Sequence, residues 1–266
     1  MADLKISSYP FKSWPEFFPT REVDLKDLPF HSSWAPFFHE EFAQPYFKEI
    51  EEYLSLRMCK TRGKVHFFPF PSLLYEAFCL TPLPQVKVVI LGQDPYFNCL
   101  EKAGKIIPEA MGLSFSVPRG KKIPSSLSNI YSNLQKHKHL VTYPTHGNLS
   151  FWAQQGVLMF NSMLTVERGK AGSHKEIWQS FTDKRIKFLS DTQEDLVFLL
   201  WGGFALSKLC HIDQGKHRVL ISSHPSGLSS AKPLGKYPAF ADFDCFGETN
   251  TYLAGKKKLP IVWDIL

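Results

Sequence analysis

Cysteine is scarce and scattered in this chain of 266 residues. No two cysteines form a C-x-x-C pair, so the spacing typical of a zinc or iron–sulfur site is missing. The five cysteines are Cys59, Cys79, Cys99, Cys210 and Cys245. We therefore expect no zinc or iron–sulfur site. An odd, unpatterned set also favours an intracellular, reducing compartment, which means the nucleus or the cytoplasm.

Long apolar runs and several common catalytic loops are also absent. No stretch reaches the roughly 18 apolar residues that a membrane helix needs, so no membrane partner is expected. The adjacent glycines of LWGGFALSK (200–208) have the wrong spacing for a phosphate-binding loop or a dinucleotide fingerprint. No G-x-S-x-G motif marks a nucleophilic serine for acyl transfer.

The chain has an excess of positive charge and many aromatic residues. Its net charge is +6, and it contains 23 phenylalanines and 6 tryptophans. A basic balance favours an anionic partner such as nucleic acid, and aromatic side chains fill cores or stack on bases. The apolar fraction of 44% is enough for a sizeable core.

The N-terminal part differs in pattern from the rest. Residues 1–30 mix prolines, charges and aromatics without a sustained period, which predicts a flexible tail. The alternative is that their aromatic side chains pack on the domain. Residues 31–266 contain no linker or repeat and are predicted to form a single domain. Within it, the apolar spacing over 42–54 predicts an amphipathic helix.

Four short apolar runs are bounded by turn-forming residues and are apolar on both faces, as buried parallel strands are. They are VKVVIL (86–91), VLMFN (157–161), LVFLLW (196–201) and HRVLIS (217–222). The segments between them are long enough for crossovers, and residues 124–137 and 178–191 have helical patterns. The sequence thus predicts an α/β fold with three α/β/α layers and a central four-stranded parallel sheet.

Polar residues follow three of these runs at the point where each strand should end. Gln93 and Asp94 follow the first run, Asn161 ends the second, and His224 follows the fourth. The carboxyl ends of parallel strands share one edge, where ligands bind. These four side chains are therefore expected to meet in one crevice that holds an acid, an imidazole and two amides.

Seven motifs in register resemble the family 1 uracil-DNA glycosylases. They are GQDPY, GLSFSV, IPSSLSNIY, GVLMFNSMLTV, SHKE, FLLWG and HPSGLS, and the resemblance extends from about Trp34 to the C-terminus. It implies a monomeric enzyme that flips uracil out of single- or double-stranded DNA. The enzyme would cleave the N-glycosidic bond without metal or cofactor and leave an abasic site.

The resemblance also implies roles for residues in the crevice. Asp94 would supply negative charge near the sugar and orient or deprotonate the attacking water, while His224 would donate to uracil O2 as charge develops. The backbone near Gln93 would assist at that oxygen. The base would be read by three further residues. Phe115 would stack on the ring, Asn161 would read N3–H and O4, and Tyr96 would exclude the 5-methyl group of thymine.

The remaining roles concern the DNA strand. Leu228 is implied as the wedge that fills the space left by the flipped base. Pro124, Ser126, Ser173 and Ser226 are implied as contacts to the phosphates, because short hydroxyl side chains allow close approach. For Ser173, the alternative is an N-cap of the following helix.

Three departures distinguish this chain from the family pattern. Phe97 replaces the histidine that usually follows the tyrosine of GQDPY, and residues 98–111 form an insertion. Gly227 replaces a proline, and a second insertion occupies 231–244. The alternative function is a non-catalytic, glycosylase-like DNA-binding accessory protein, which the intact Asp94 and His224 disfavour.

Two protein partners are also candidates. One is a proteinaceous glycosylase inhibitor. The other is a replication clamp, because FKSWPEFF (11–18) distantly resembles a clamp-binding motif, with Phe17 and Phe18 as its aromatic pair and no leading glutamine.

Overall fold

A four-stranded parallel sheet forms the centre of the fold, as the four apolar runs predict. The computed structural model describes residues 10–61, 66–102 and 104–265. Its strands are β1 (Phe67–Phe68), β2 (Val88–Gly92), β3 (Cys99–Lys102), β4 (Lys105–Pro108), β5 (Val157–Asn161), β6 (Val166–Glu167), β7 (Val197–Trp201) and β8 (Arg218–Ser222). The central sheet has the order β5-β2-β7-β8, with every pair parallel.

Helices flank this sheet and complete the three layers. They are α1 (Trp14–Phe17), α2 (Ala35–Phe42), α3 (Pro45–Lys60), α4 (Glu76–Leu80), α5 (Ser125–Lys136), α6 (Ser150–Gln154), α7 (Lys175–Thr192), α8 (Gly202–Leu206) and α9 (Cys245–Gly255). The longest, α7, buries residues at helical spacing, and its Phe181 packs against Phe37, Phe38 and Phe47. Of the helices in the described ranges, none is long and apolar enough to cross a membrane.

The predicted amphipathic helix over 42–54 is two helices. α2 ends at Phe42, and α3 begins at Pro45. Proline lacks an N–H donor and is tolerated in the first turn of a helix but not in its interior. The chain therefore turns at this point, while Phe42 and Phe47 keep their rings 4.8 Å apart across the break.

The prediction of a flexible tail is wrong for residues 10–30, and residues 1–9 lie outside the described part of the chain. Trp14 is buried and donates from Nε1 to the Pro69 carbonyl oxygen at 2.9 Å. Leu25 and Leu28 are also in the core. The segment has no sustained period because α1 is its only helix in the described residues, and its other apolar side chains pack individually on the domain, as the alternative expects.

The insertion after Phe97 is a β-hairpin rather than an irregular loop. Strands β3 and β4 pair antiparallel from Cys99 opposite Pro108 to Lys102 opposite Lys105. The Glu101 carboxylate pairs with Arg168. These contacts give the insertion its own backbone pairing and attach it to a neighbouring segment.

Candidate active site

The carboxyl edge of the sheet contains a crevice with a volume of about 220 Å³. Gln93, Asp94, Asn161 and His224 all line it. The first two follow β2, Asn161 is the last residue of β5, and His224 lies just beyond β8. The prediction that these four residues converge is therefore confirmed.

Asp94 is held in place by a segment far along the chain. Its Oδ2 accepts a hydrogen bond from the Gly172 backbone N–H at 2.9 Å. Burial raises the pKa of the Asp94 carboxyl above its ordinary value, and the backbone N–H groups of Gly172 and of Asp94 itself oppose that shift. A poorly solvated carboxylate interacts strongly with positive charge that develops nearby.

His224 is arranged as a neutral hydrogen-bond donor. Its Nδ1 lies 3.1 Å from the Ser226 backbone N–H, which is a donor, so Nδ1 must accept and the ring proton lies on Nε2. Burial lowers the pKa of His224 below its ordinary value, which favours the neutral ring. Behind the ring, a Cβ atom at Gly202 would lie 2.9 Å from the His224 Cβ.

Asn161 packs directly on backbone. Its residue is only 9% exposed and lies opposite Gly92 in the parallel register. A Cβ atom at position 92 would lie 2.1 Å from the Asn161 Oδ1, so glycine there leaves room for the amide in this position. The amide is thereby confined to a narrow range of positions, as a group that reads a base edge needs to be.

Two aromatic residues form the apolar wall. The Tyr96 hydroxyl donates to the Phe115 carbonyl oxygen at 3.3 Å. Phe115 has a φ of 63°, a left-handed conformation that is strained for an aromatic residue and is often found at functional sites. The Phe115 ring lies 5.4 Å from Trp201 and 5.8 Å from His224. Phe115 is therefore not a mere core residue, because it lines the crevice.

The residues expected to contact DNA lie at different places. Ser126 lines the crevice, and Pro124 directly precedes α5. Leu228 is 86% exposed, as a protruding wedge requires. Ser173 is not among the lining residues, and its Oγ accepts from the Glu167 backbone N–H at 2.8 Å.

The N-cap alternative for Ser173 is wrong. Helix α7 begins at Lys175, so His174 occupies the preceding position. Ser173 instead closes the turn that follows β6 through its contact with Glu167.

Sequence reasoning missed several lining residues. Phe97 and Ala110 come from the two ends of the insertion, and Gly112 and Leu113 precede Phe115. Their nearness in sequence to Tyr96 and Phe115 was a usable signal. No local pattern pointed to Gly172. Among the described residues, no group of three His, Cys, Asp or Glu side chains is arranged to hold a metal ion.

Comparison with known proteins supports the resemblance to the uracil-DNA glycosylases. A family model described as the uracil DNA glycosylase superfamily matches residues 79–253. The chain is 42% identical to the uracil-DNA glycosylase of Helicobacter hepaticus, over 92% of this chain and 99% of that protein. It is 40% identical to the probable uracil-DNA glycosylase of Acanthamoeba polyphaga mimivirus, over 98% of this chain and 72% of that protein.

The same similarity holds in three dimensions. The crystal structure of mimivirus uracil-DNA glycosylase matches with a TM-score of 0.91 and 38% identity, covering 99% of this chain and 97% of that one. A variant of the mimivirus enzyme in complex with UGI also matches with a TM-score of 0.91, at 40% identity and 98% coverage of both chains. The family-model match, the sequence identity and the structural similarity together show that the chain belongs to the uracil-DNA glycosylase superfamily.

Proposed function

We propose that this DNA-repair enzyme excises uracil by hydrolysing the N-glycosidic bond at the crevice, with Asp94 and His224 as its catalytic groups. The observation that carries the proposal is the convergence of Asp94, Asn161 and His224 on one crevice from three separate strand ends. An acid, an amide and a neutral imidazole together supply what the cleavage needs, which is charge stabilisation, base readout and a donor to the leaving group.

Bond cleavage separates charge within the crevice. As the glycosidic bond lengthens, the sugar gains oxocarbenium character and the uracil gains negative charge. The Asp94 carboxylate stabilises the sugar and orients or deprotonates water, while the Nε2–H of His224 donates to uracil O2. A well-placed donor of this kind contributes about 3–4 kcal/mol. Backbone near Gln93 assists at the same oxygen.

Base selection depends on Asn161, Tyr96 and Phe115. The Asn161 amide accepts from N3–H and donates to O4, whereas cytosine presents an acceptor and a donor at these positions and leaves buried groups unpaired. The Tyr96 ring occupies the side where thymine carries its methyl group. Phe115 stacks on the base. The hydroxyl of Tyr96 is fixed by its bond to the Phe115 carbonyl, which joins both aromatic residues into one wall.

DNA binding would place the exposed Leu228 in the stack as the base leaves it. Pro124, Ser126 and Ser226 would contact phosphates beside the crevice, and the net charge of +6 favours both single- and double-stranded DNA. Ser173 would contact a phosphate only if its turn opened toward the DNA, because its Oγ already accepts a hydrogen bond from the Glu167 backbone N–H.

Two protein partners are proposed on different grounds. A mimivirus relative has been solved in complex with UGI, and the close structural match supports binding of that inhibitor to this chain. A replication clamp is proposed only from FKSWPEFF, in which Phe18 is buried and Phe17 is the more exposed ring. Addition of UGI to the assay below should abolish excision.

The test is incubation with an oligonucleotide containing one uracil, with a chelator present, followed by alkali to cut abasic sites. Strand cleavage is expected for the wild type and not for Asp94→Asn, which should still bind the oligonucleotide. Binding without cleavage by the wild type would instead favour the alternative of an accessory DNA-binding protein.

A further inference from the structure

The Asn161 carbonyl oxygen lies at the outer edge of the central sheet. In the part of the chain that the structure describes, β5 is the outer strand of this sheet and pairs with β2 alone. The Ser162 N–H donates to the Gly92 carbonyl of β2 at 2.9 Å. Because the Asn161 C=O and the Ser162 N–H belong to one trans peptide group and point in opposite directions, the Asn161 carbonyl points away from β2. Its donor is the Arg185 Nη2, at 3.1 Å.

Arg185 comes from α7 and is fully buried. Its guanidinium lies 3.8 Å from the centre of the Phe160 ring, and Nη2 is also 3.3 Å from the Thr182 Oγ1. The Nε and Nη1 atoms have no hydrogen-bond partner among the described residues. Burial lowers the pKa of Arg185 to about 9, so the group is still charged at neutral pH.

No acid among the described residues forms a direct ion pair with this guanidinium. The nearby acids Glu41 and Asp183 pair with Lys184 and Lys208 instead. An incompletely bonded buried charge is costly, and an apolar residue of similar size is often as stable or more stable. The ring centres of Phe78, Phe160 and Phe181 lie 5.3, 3.8 and 5.1 Å from the guanidinium and offset part of this cost by cation–π contact. The bond to the Asn161 carbonyl additionally connects the charge to a residue that lines the crevice.

Helix α7 holds two consecutive carbonyl groups at the end of β5. Arg185 bonds the Asn161 carbonyl, and the Thr182 hydroxyl donates to the Ser162 carbonyl. On the other side, Ser162 is bonded to β2. The backbone that carries the Asn161 amide is thus fixed from both directions, while the amide itself packs on Gly92.

We infer that Arg185 is a positioning residue for base readout, acting through the Asn161 backbone to set how tightly the crevice holds uracil. This inference rests on the proposed function, in which Asn161 reads the base. Arg185, which does not line the crevice, would thus contribute to uracil affinity and to discrimination against cytosine.

The test compares three variants with the wild type. Arg185→Met removes the donor and keeps an apolar side chain of similar length. Arg185→Lys keeps the positive charge but places it on a side chain of different length and hydrogen-bonding geometry. Leu189→Ala is the control, because Leu189 is buried one turn further along α7, its truncation creates a cavity, and its side chain has no donor for the Asn161 carbonyl. The measurements are Tm, kcat/KM on a uracil oligonucleotide, inhibition by free uracil, and release of cytosine.

Arg185→Met is expected to weaken inhibition by free uracil by about tenfold or more, since a charge-assisted hydrogen bond fixes the reading residue. Its kcat/KM on uracil should fall with it, while its Tm changes less than that of Leu189→Ala. Arg185→Lys should lie between Arg185→Met and the wild type. Leu189→Ala should lower Tm and keep uracil affinity within about twofold of the wild type at a temperature where it is folded.

Two results would overturn the inference. One is an Arg185→Met enzyme with uracil affinity within about twofold of the wild type. The other is an equal loss of affinity in Leu189→Ala, because general loosening would then explain both variants. If Arg185→Met does not fold, an Arg185→Lys enzyme with the uracil affinity of the wild type would also overturn the inference. A wild type that releases no uracil would instead refute the proposed function.

Discussion

Replacing Gly92 with alanine tests the base-reading geometry with a single methyl group. Gly92 ends β2 opposite Asn161, and its φ is outside the left-handed region, so alanine can adopt its backbone conformation. The added Cβ atom would lie 2.1 Å from the Asn161 Oδ1 and 2.8 Å from the Ser114 Cβ. The perturbation is therefore mainly a collision with the residue proposed to read the base, with a second, less severe contact at Ser114.

The size of the effect follows from these distances. Contacts of a Cβ atom below 3.0 Å essentially never occur, so the Asn161 oxygen must retreat from 2.1 Å to at least that distance. A misplacement of about 1 Å in a reacting complex can reduce the rate about 100-fold. Overpacking should also cost about 1–3 kcal/mol of folding free energy, which lowers Tm by several degrees in a domain of this size.

The assay is single-turnover excision from a uracil oligonucleotide, with Tm measured in parallel. The control is Gly255→Ala, because Gly255 ends α9 and a Cβ atom there meets no atom within 4 Å. We expect Gly255→Ala to match the wild type. If Gly92→Ala kept a rate within about threefold of the wild type and still rejected cytosine, Asn161 would not read the base from the position seen here.

Further predictions concern the same crevice. Asp94→Asn should abolish excision and raise Tm at pH 7. Burial raises the pKa of Asp94 in the folded state, so its ionisation destabilises the wild type at any pH above the ordinary pKa of an aspartate. Thermal melts should therefore show that the variant loses its advantage as the pH falls below that ordinary pKa. The acid limb of kcat/KM should report protonation of Asp94, whose pKa burial raises, together with protonation of His224, whose pKa burial lowers, and a pH–rate profile checks this. Tyr96→Ala should release thymine and Asn161→Asp should release cytosine from labelled DNA, each with a slower uracil reaction. Replacing residues 98–110 with a short Gly-Pro loop should shift Tm by only a few degrees. The KM on duplex DNA should change, which steady-state kinetics would measure. An unchanged KM would mean that the hairpin has no part in DNA binding.

Much of the fold and the catalytic crevice could be predicted from the sequence. The four strands lie in their predicted apolar runs, with β2 extending one residue further to Gly92, because a strand buried on both faces must be apolar along its length. Parallel strands share one carboxyl edge, so Asp94, Asn161 and His224 could be placed together from their positions after those runs. These inferences succeed because they depend on local patterns and on a strong rule of topology.

The remaining features depend on contacts between distant parts of the chain, for which no local pattern exists. The Gly172 N–H meets Asp94 across 78 positions, and Arg185 reaches the Asn161 carbonyl only because α7 packs beside the edge strand. Likewise, Trp14 belongs to the core because a surface formed by Pro69 and its neighbours accepts it. Periodicity shows which residues must be buried or exposed, but packing in three dimensions selects the partner of each one.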